Sequence, residues 1–169
     1  KEKSIEDIDF LKIDTEGYDL FVLESNNWNA IRPKIIICEF ENSKTIPLGY
    51  RFRDLTNFLM RQGYFLFVSE WHPIVEYGRP HRWRSFKEYP CNLDDNNSWG
   101  NIIALRDSER VADFKLAADV FIGQQNIINR QQKLLEEKDF RTKEKEEKLH
   151  IKDVRTFSKR YSVFTEWLK

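Results

Sequence analysis

Four carboxylates stand in two pairs, Asp14 with Glu16 and Glu39 with Glu41, each pair closing or following a short apolar run. Glu39 and Glu41 are two residues apart, so on an extended strand both side chains leave the same face. A carboxylate so placed can take a proton from a hydroxyl, or hold a divalent cation through oxygen. His72, in Glu70-Trp71-His72-Pro73, is a further candidate base or acceptor contact. Each has a plainer alternative. Asp14 and Glu16 precede a helical pattern and can cap its N-terminus, and His72 beside a Trp can be packed or solvated. His81 and His150 carry weaker signals. The segment 79–87 alternates basic and aromatic residues. It can clamp a phosphorylated or glycan ligand, or be a solvated loop with its aromatics anchored inward. Asp94-Asp95-Asn96-Asn97 lacks the Gly and closing Glu of a calcium loop and reads as a turn.

These residues need elements to hold them. Residues 8–14 form an apolar run closed by Asp14, and Thr15-Glu16-Gly17 punctuates it. Tyr18, Phe21, Val22 and Leu23 then approach helical spacing. Residues 34–41 carry a continuous β-branched run, which predicts a strand buried on both faces. Phe52, Leu55, Phe58 and Leu59 with Gly63 behind them predict a helix with a glycine stop. Residues 64–70 and 99–105 predict two more strands, with a long loop over 71–98. Strands alternating with helices imply an α/β sheet with right-handed crossovers. In such sheets the ligand crevice lies beyond the carboxyl ends of the strands, where Asp14, Glu16, Glu39 and Glu41 stand. The first strand is apolar and would be a hazard as a bare edge. Either the tail helix covers it or a further strand pairs with it.

The 169 residues hold 28 basic and 28 acidic side chains. This balance argues against a nucleic-acid binder, and no apolar run is long enough to span a bilayer. The zero sum hides two regions. Residues 1–105 hold 13 basic and 16 acidic residues, all five Pro and five of the six Gly; the rest holds 15 basic and 12 acidic. We therefore expect a compact part over 1–107 and a helical tail over 108–169. In the tail Phe114, Phe121, Ile128 and Leu135 recur every seven residues, but Gln124, Gln131 and Lys138 break the second stripe. Self-association and packing on the parent domain both account for that line. Residues 136–150 read as a solvated charged helix, and Phe157, Tyr161, Phe164, Trp167 and Leu168 form a last apolar stripe. Two cysteines, Cys38 and Cys91, without CxxC spacing suggest neither zinc nor a disulfide framework and point to a reducing, cytoplasmic setting. The chain opens without Met and without a signal peptide, and is expected to be a fragment.

The block Ile8-Asp9-Phe10-Leu11-Lys12-Ile13-Asp14-Thr15-Glu16-Gly17-Tyr18-Asp19 resembles the signature of FkbM-family methyltransferases, an IDFLKIDxEGxE-type sequence followed by a short helix and VLxG. Val22-Leu23-Glu24-Ser25 matches the latter, with Ser25 where Gly is usual. Ile36-Ile37-Cys38-Glu39-Phe40-Glu41, Gly63-Tyr64 and Trp99-Gly100-Asn101-Ile102-Ile103-Ala104 extend the resemblance over residues 5–107. It implies the C-terminal half of a Rossmann-like, class I methyltransferase sheet dependent on S-adenosylmethionine, followed by a long helical tail. The present strands would be its fourth to seventh. The Gly-rich loop after its first strand and the acidic ribose contact after its second have no counterpart here, so the chain by itself is expected to bind no cofactor and to be inactive. Under this resemblance Asp14, Glu39, Glu41 and His72 are candidates for catalysis, and Asp14 and Glu16 for cofactor contact. The acceptor would be a hydroxyl of a sugar, lipid-linked glycan or secondary metabolite. Asp14, Glu41 and Asn42 resemble, in placement only, the metal ligands of catechol-type O-methyltransferases, which would suit magnesium. The other reading is a non-catalytic α/β remnant with a helical interaction tail.

Overall fold

The computed structural model describes residues 7–74, 76 and 81–167, with the side chains at 149–151 and 153–167 excepted. In chain order it forms β1 (Phe10–Ile13), α1 (Asp19–Ser25), β2 (Ile35–Glu41), a short helix α2 (Asn42–Thr45), a 3-10 turn (Ile46–Leu48), α3 (Phe52–Arg61), β3 (Phe65–Trp71), β4 (Trp83–Glu88), β5 (Trp99–Leu105) and α4 (Glu109–Trp167). The strands make one sheet in the order β1-β2-β5-β3-β4. β1 and β2 are parallel, β5 is antiparallel to both β2 and β3, and β4 is antiparallel to β3. It follows that β1, β2 and β3 all run the same way and bring their carboxyl ends to one rim.

The α/β alternation is present, and helices α1 and α3 connect the three co-directional strands. Their apolar residues Leu20, Leu23, Phe52, Leu55 and Leu59 pack with Ile13, Ile36, Cys38, Phe40, Val68 and Ile102 into one core on one face of the sheet. Burial on both faces of residues 34–41 is not observed. β2 alternates between half-buried and buried along its length, because α1 and α3 cover only the Ile36, Cys38 and Phe40 side.

The segment 71–98 is not all loop. Trp83–Glu88 is an added strand, paired with β3 from Phe67↔Glu88 to Trp71↔Trp83 with an irregularity at Glu70/Trp71. Its alternating polar and aromatic residues fit a half-covered strand: Phe86 stacks on Phe67 at 5.9 Å between ring centres, and Trp83 is buried.

The chain divides into two compact units, Lys1–Gln125 and Asn126–Lys169. In the first, the start of α4 packs over β3 and β4 through Phe114 on Phe67 (4.8 Å) and Phe121 on Trp83 (5.8 Å), with Lys115 paired to Glu88 at 2.8 Å. Within this unit the helix therefore does not cover β1, which is the terminal strand at the opposite side of the sheet, with Phe10 54% exposed. In the second unit Ile127, Leu134, Leu135 and Phe140 are exposed on a helix. The stripe from Phe157 to Leu168 and the side chain of His150 lie outside the described residues. No helix among the described residues is long and apolar enough to cross a membrane.

Candidate functional site

Parallel pairing of β1 with β2, Ile13 beside Cys38, sets the turn after β1 next to the end of β2. That turn is tight. Glu16 has φ 52° and Gly17 φ 97°, the left-handed region that a non-glycine residue seldom occupies. Space as well as φ requires the glycine, because a Cβ at Gly17 would come within 3.2 Å of Lys44 Cβ. The strained turn is held from below. Asp19, fully buried, accepts the Thr15 amide (3.3 Å) and hydroxyl (2.9 Å) on Oδ2, and the Glu39 amide (2.9 Å) on Oδ1. The Tyr50 hydroxyl donates to the Gly17 carbonyl at 2.5 Å.

Neither Asp14 nor Glu16 caps α1, whose N-terminus has no side-chain cap. Asp14 pairs with Lys12 at 3.3 Å, and Glu16 with Lys44 at 2.6 Å. The capping expectation fails because each carboxylate is drawn to a lysine, Glu16 from a left-handed backbone position, while Asp19 does the stapling. Lys44 also meets Glu41 at 2.8 Å, and Glu41's other oxygen accepts the Ser43 hydroxyl at 2.6 Å. Burial works against the Lys44 charge, but Glu16, Glu41 and Glu39 together outweigh it and hold the ammonium above its ordinary value.

Glu39 differs from its neighbours. No described donor hydrogen-bonds its carboxylate and no described cation lies within ion-pair distance. Half-burial pushes its carboxyl up to about 7; Lys44 opposes this, and Asp14, Glu16 and Asp19 add to it. In register it sits opposite Asn101 of β5, whose side chain Lys12 reaches at 3.4 Å. A carboxyl poised near neutrality at a strand's carboxyl end can accept a proton from a hydroxyl.

His72 stands further along the rim. Trp71, just before it, aligns with Trp99, which aligns with Glu41, so His72 lies two strand spacings from β2, about 10 Å. Its Nδ1 contacts Arg84 at 3.0 Å, and desolvation, then Arg84 and Arg82, hold its pKa below the ordinary value against Asp95 and Glu70. His81 meets Trp99 edge-on at 5.1 Å.

The metal-like trio does not assemble. Asn42 turns toward α3, accepting the Phe52 amide at 3.0 Å and donating to the Asn96 carbonyl at 3.1 Å, away from Asp14. Among the described residues no group of three His, Cys, Asp or Glu is placed to hold a metal. Asp94 and Asp95 belong to a turn, paired with Lys87 (2.8 Å) and Arg84 (3.2 Å). The residues present do not fit S-adenosylmethionine by themselves. Adenosine needs an apolar slot with a carboxylate at its edge, whereas the Asp14 and Glu16 side chains are 54% and 77% exposed and tied to lysines.

Two residues that hold the site were not singled out from sequence. Asp19 was visible only as the last residue of the signature-like block over residues 8–19. Glu70 is fully buried, accepts the amides of Asp94 and Asp95, and pairs with Lys87 at 3.2 Å. An acid inside an apolar strand was its available signal.

No curated protein and no solved structure matches the chain. Residues 1–66, from before β1 into the start of β3, match the family model described as Methyltransferase FkbM domain, so this part of the chain is similar to that methyltransferase family.

Proposed function

We propose that the chain is the acceptor-side part of an S-adenosylmethionine-dependent O-methyltransferase domain, acting on a hydroxyl of a sugar, glycan or secondary metabolite. The observation that carries this reading is Glu39: half-buried, without a hydrogen-bond donor among the described residues, poised near neutrality, and set among carboxylates at the rim. Its carboxylate takes the acceptor's hydroxyl proton as the oxygen becomes nucleophilic. Asp14 and Glu41 raise the local negative field and bind acceptor hydroxyls, Glu16 keeps Lys44 in place, and His72 contacts the acceptor at the far end of the rim. The strand order supports reading these strands as the latter part of a Rossmann-like sheet, with the cofactor-holding elements beyond the outer edge of β1. Two free cysteines, Cys38 buried and Cys91 half-buried, accord with a reducing compartment such as the cytoplasm.

The test is Glu39→Gln in the intact protein. Loss of a general base lowers turnover by about 100-fold or more, with acceptor KM little changed. Unchanged turnover removes Glu39 from the chemistry. The exposed apolar residues Ile127, Leu134 and Leu135 favour a second reading, a non-catalytic module that binds a partner helix. Calorimetric titration of the intact protein with S-adenosylmethionine separates the two: saturable binding supports the enzyme, and its absence supports the module.

A further inference from the structure

A cleft of about 560 Å³ opens on the α3 side of the rim, between Asn42, the N-terminus of α3 and the loop over residues 92–96. Its volume is in the range of small-ligand sites. Phe52 and Leu93 supply apolar surface, and Arg51, Arg53 and Asp54 supply charge. Two guanidiniums face one carboxylate, and Asp54 turns Oδ2 to the Arg51 amide at 2.8 Å rather than to either guanidinium. Arg51 has no ion-pair partner among the described residues. Arg53 is fixed in direction by donating to Asn92 Oδ1.

The walls are tied together before any ligand arrives. Asn42, 8% exposed, uses both ends of its amide to bind α3 at Phe52 and the loop at Asn96. Behind the loop, the buried Glu70 carboxylate accepts the Asp94 amide (2.9 Å) and the Asp95 amide (3.1 Å). A preformed wall lowers the ordering cost of binding. The positive end of the ten-residue helix α3 adds to the two guanidiniums. A guanidinium fork matches the paired oxygens of a phosphate or carboxylate.

We propose that this cleft binds an anionic group, phosphate or carboxylate, through Arg51 and Arg53. The inference does not depend on methyl transfer, and its test uses none. In the intact protein, amide shifts are followed by NMR while inorganic phosphate is added, and in a second arm acetate. The expected result is saturable shifts confined to residues 51–54 and 92–96, with affinity reduced about tenfold by Arg51→Gln, as befits loss of a charge-assisted bond. Arg61→Gln, at the far end of α3, leaves the affinity unchanged. Tighter binding of phosphate identifies a phosphoryl ligand, and equal or tighter binding of acetate a carboxylate. No saturation by either anion, or equal affinity in Arg51→Gln, overturns the proposal.

Discussion

Glu39 and Glu41 leave the same face of one strand two residues apart, yet their surroundings give them different work. Glu41 spends one oxygen on Ser43 and the other on Lys44, whereas Glu39 is half-buried with no donor among the described residues. Spacing alone revealed the shared face. Which of the two is free depends on Lys44, brought back by the helix that follows, and no strand pattern reports that. The same holds for Asp14 and Glu16, whose position before α1 suggested caps, whereas Lys12 and Lys44 hold them elsewhere. The Glu39 carboxyl also has a stability consequence. Its folded-state pKa, about 7, lies above its ordinary 4.5, so the native state holds the proton more tightly than the unfolded chain. Stability attributed to Glu39 therefore falls as pH rises from about 4.5 through 7. Glu39→Gln removes this cost. With discount for solvent screening at a half-exposed group, we expect a gain of about 1 kcal/mol at pH 8, a Tm rise of about 2–4 °C, and no difference at pH 4. Thermal melts at the two pH values check this; a variant less stable at pH 8 would contradict it.

At the level of elements, the strands over 34–41, 64–70 and 99–105 and the helices α1 and α3 were legible, because each repeats an apolar period between turn residues, whereas the short helix α2 stands where the polar sequence suggested only a turn. β4 was not. Its basic and aromatic alternation has few β-branched residues, and it becomes a strand through pairing with β3 and cover from Phe114 and Phe121, contacts distant in sequence. β5 shows the converse, a signal present but unread. Gly100 lies in the strand interior, where a Cβ would come within 2.0 Å of the Ser69 carbonyl oxygen and 3.0 Å of the Phe40 ring. Glycine inside a strand marks such close approach. Gly100→Ala should force β3 and β5 apart and cost about 2–3 kcal/mol, which denaturant unfolding would measure. A loss below about 0.5 kcal/mol would mean that the strands have slack there.

Over the whole molecule, the zero net charge is the sum of a slightly acidic sheet region and a slightly basic helical one, and the pI is about 7.0. Little net repulsion between copies remains at neutral pH, while Phe10 is exposed on the terminal strand β1. Solubility should pass through a minimum near pH 7, and Phe10→Lys should raise it; solubility that is flat across this range would contradict the argument. The apolar sequence of β1 did not tell whether the tail helix covers it, and the side of the sheet on which α4 begins was not legible either, since Phe114 and Phe121 are compatible with any apolar surface. The arrangement as a whole puts Glu39, a carboxyl with no donor among the described residues, on a rim built by three co-directional strands. The pH–rate profile of methyl transfer by the intact protein tests that placement most directly. With Glu39 as base, log kcat/KM rises with pH and levels off near an apparent pKa of about 7, and this limb disappears in Glu39→Gln. A profile with the same limb in both proteins would contradict it.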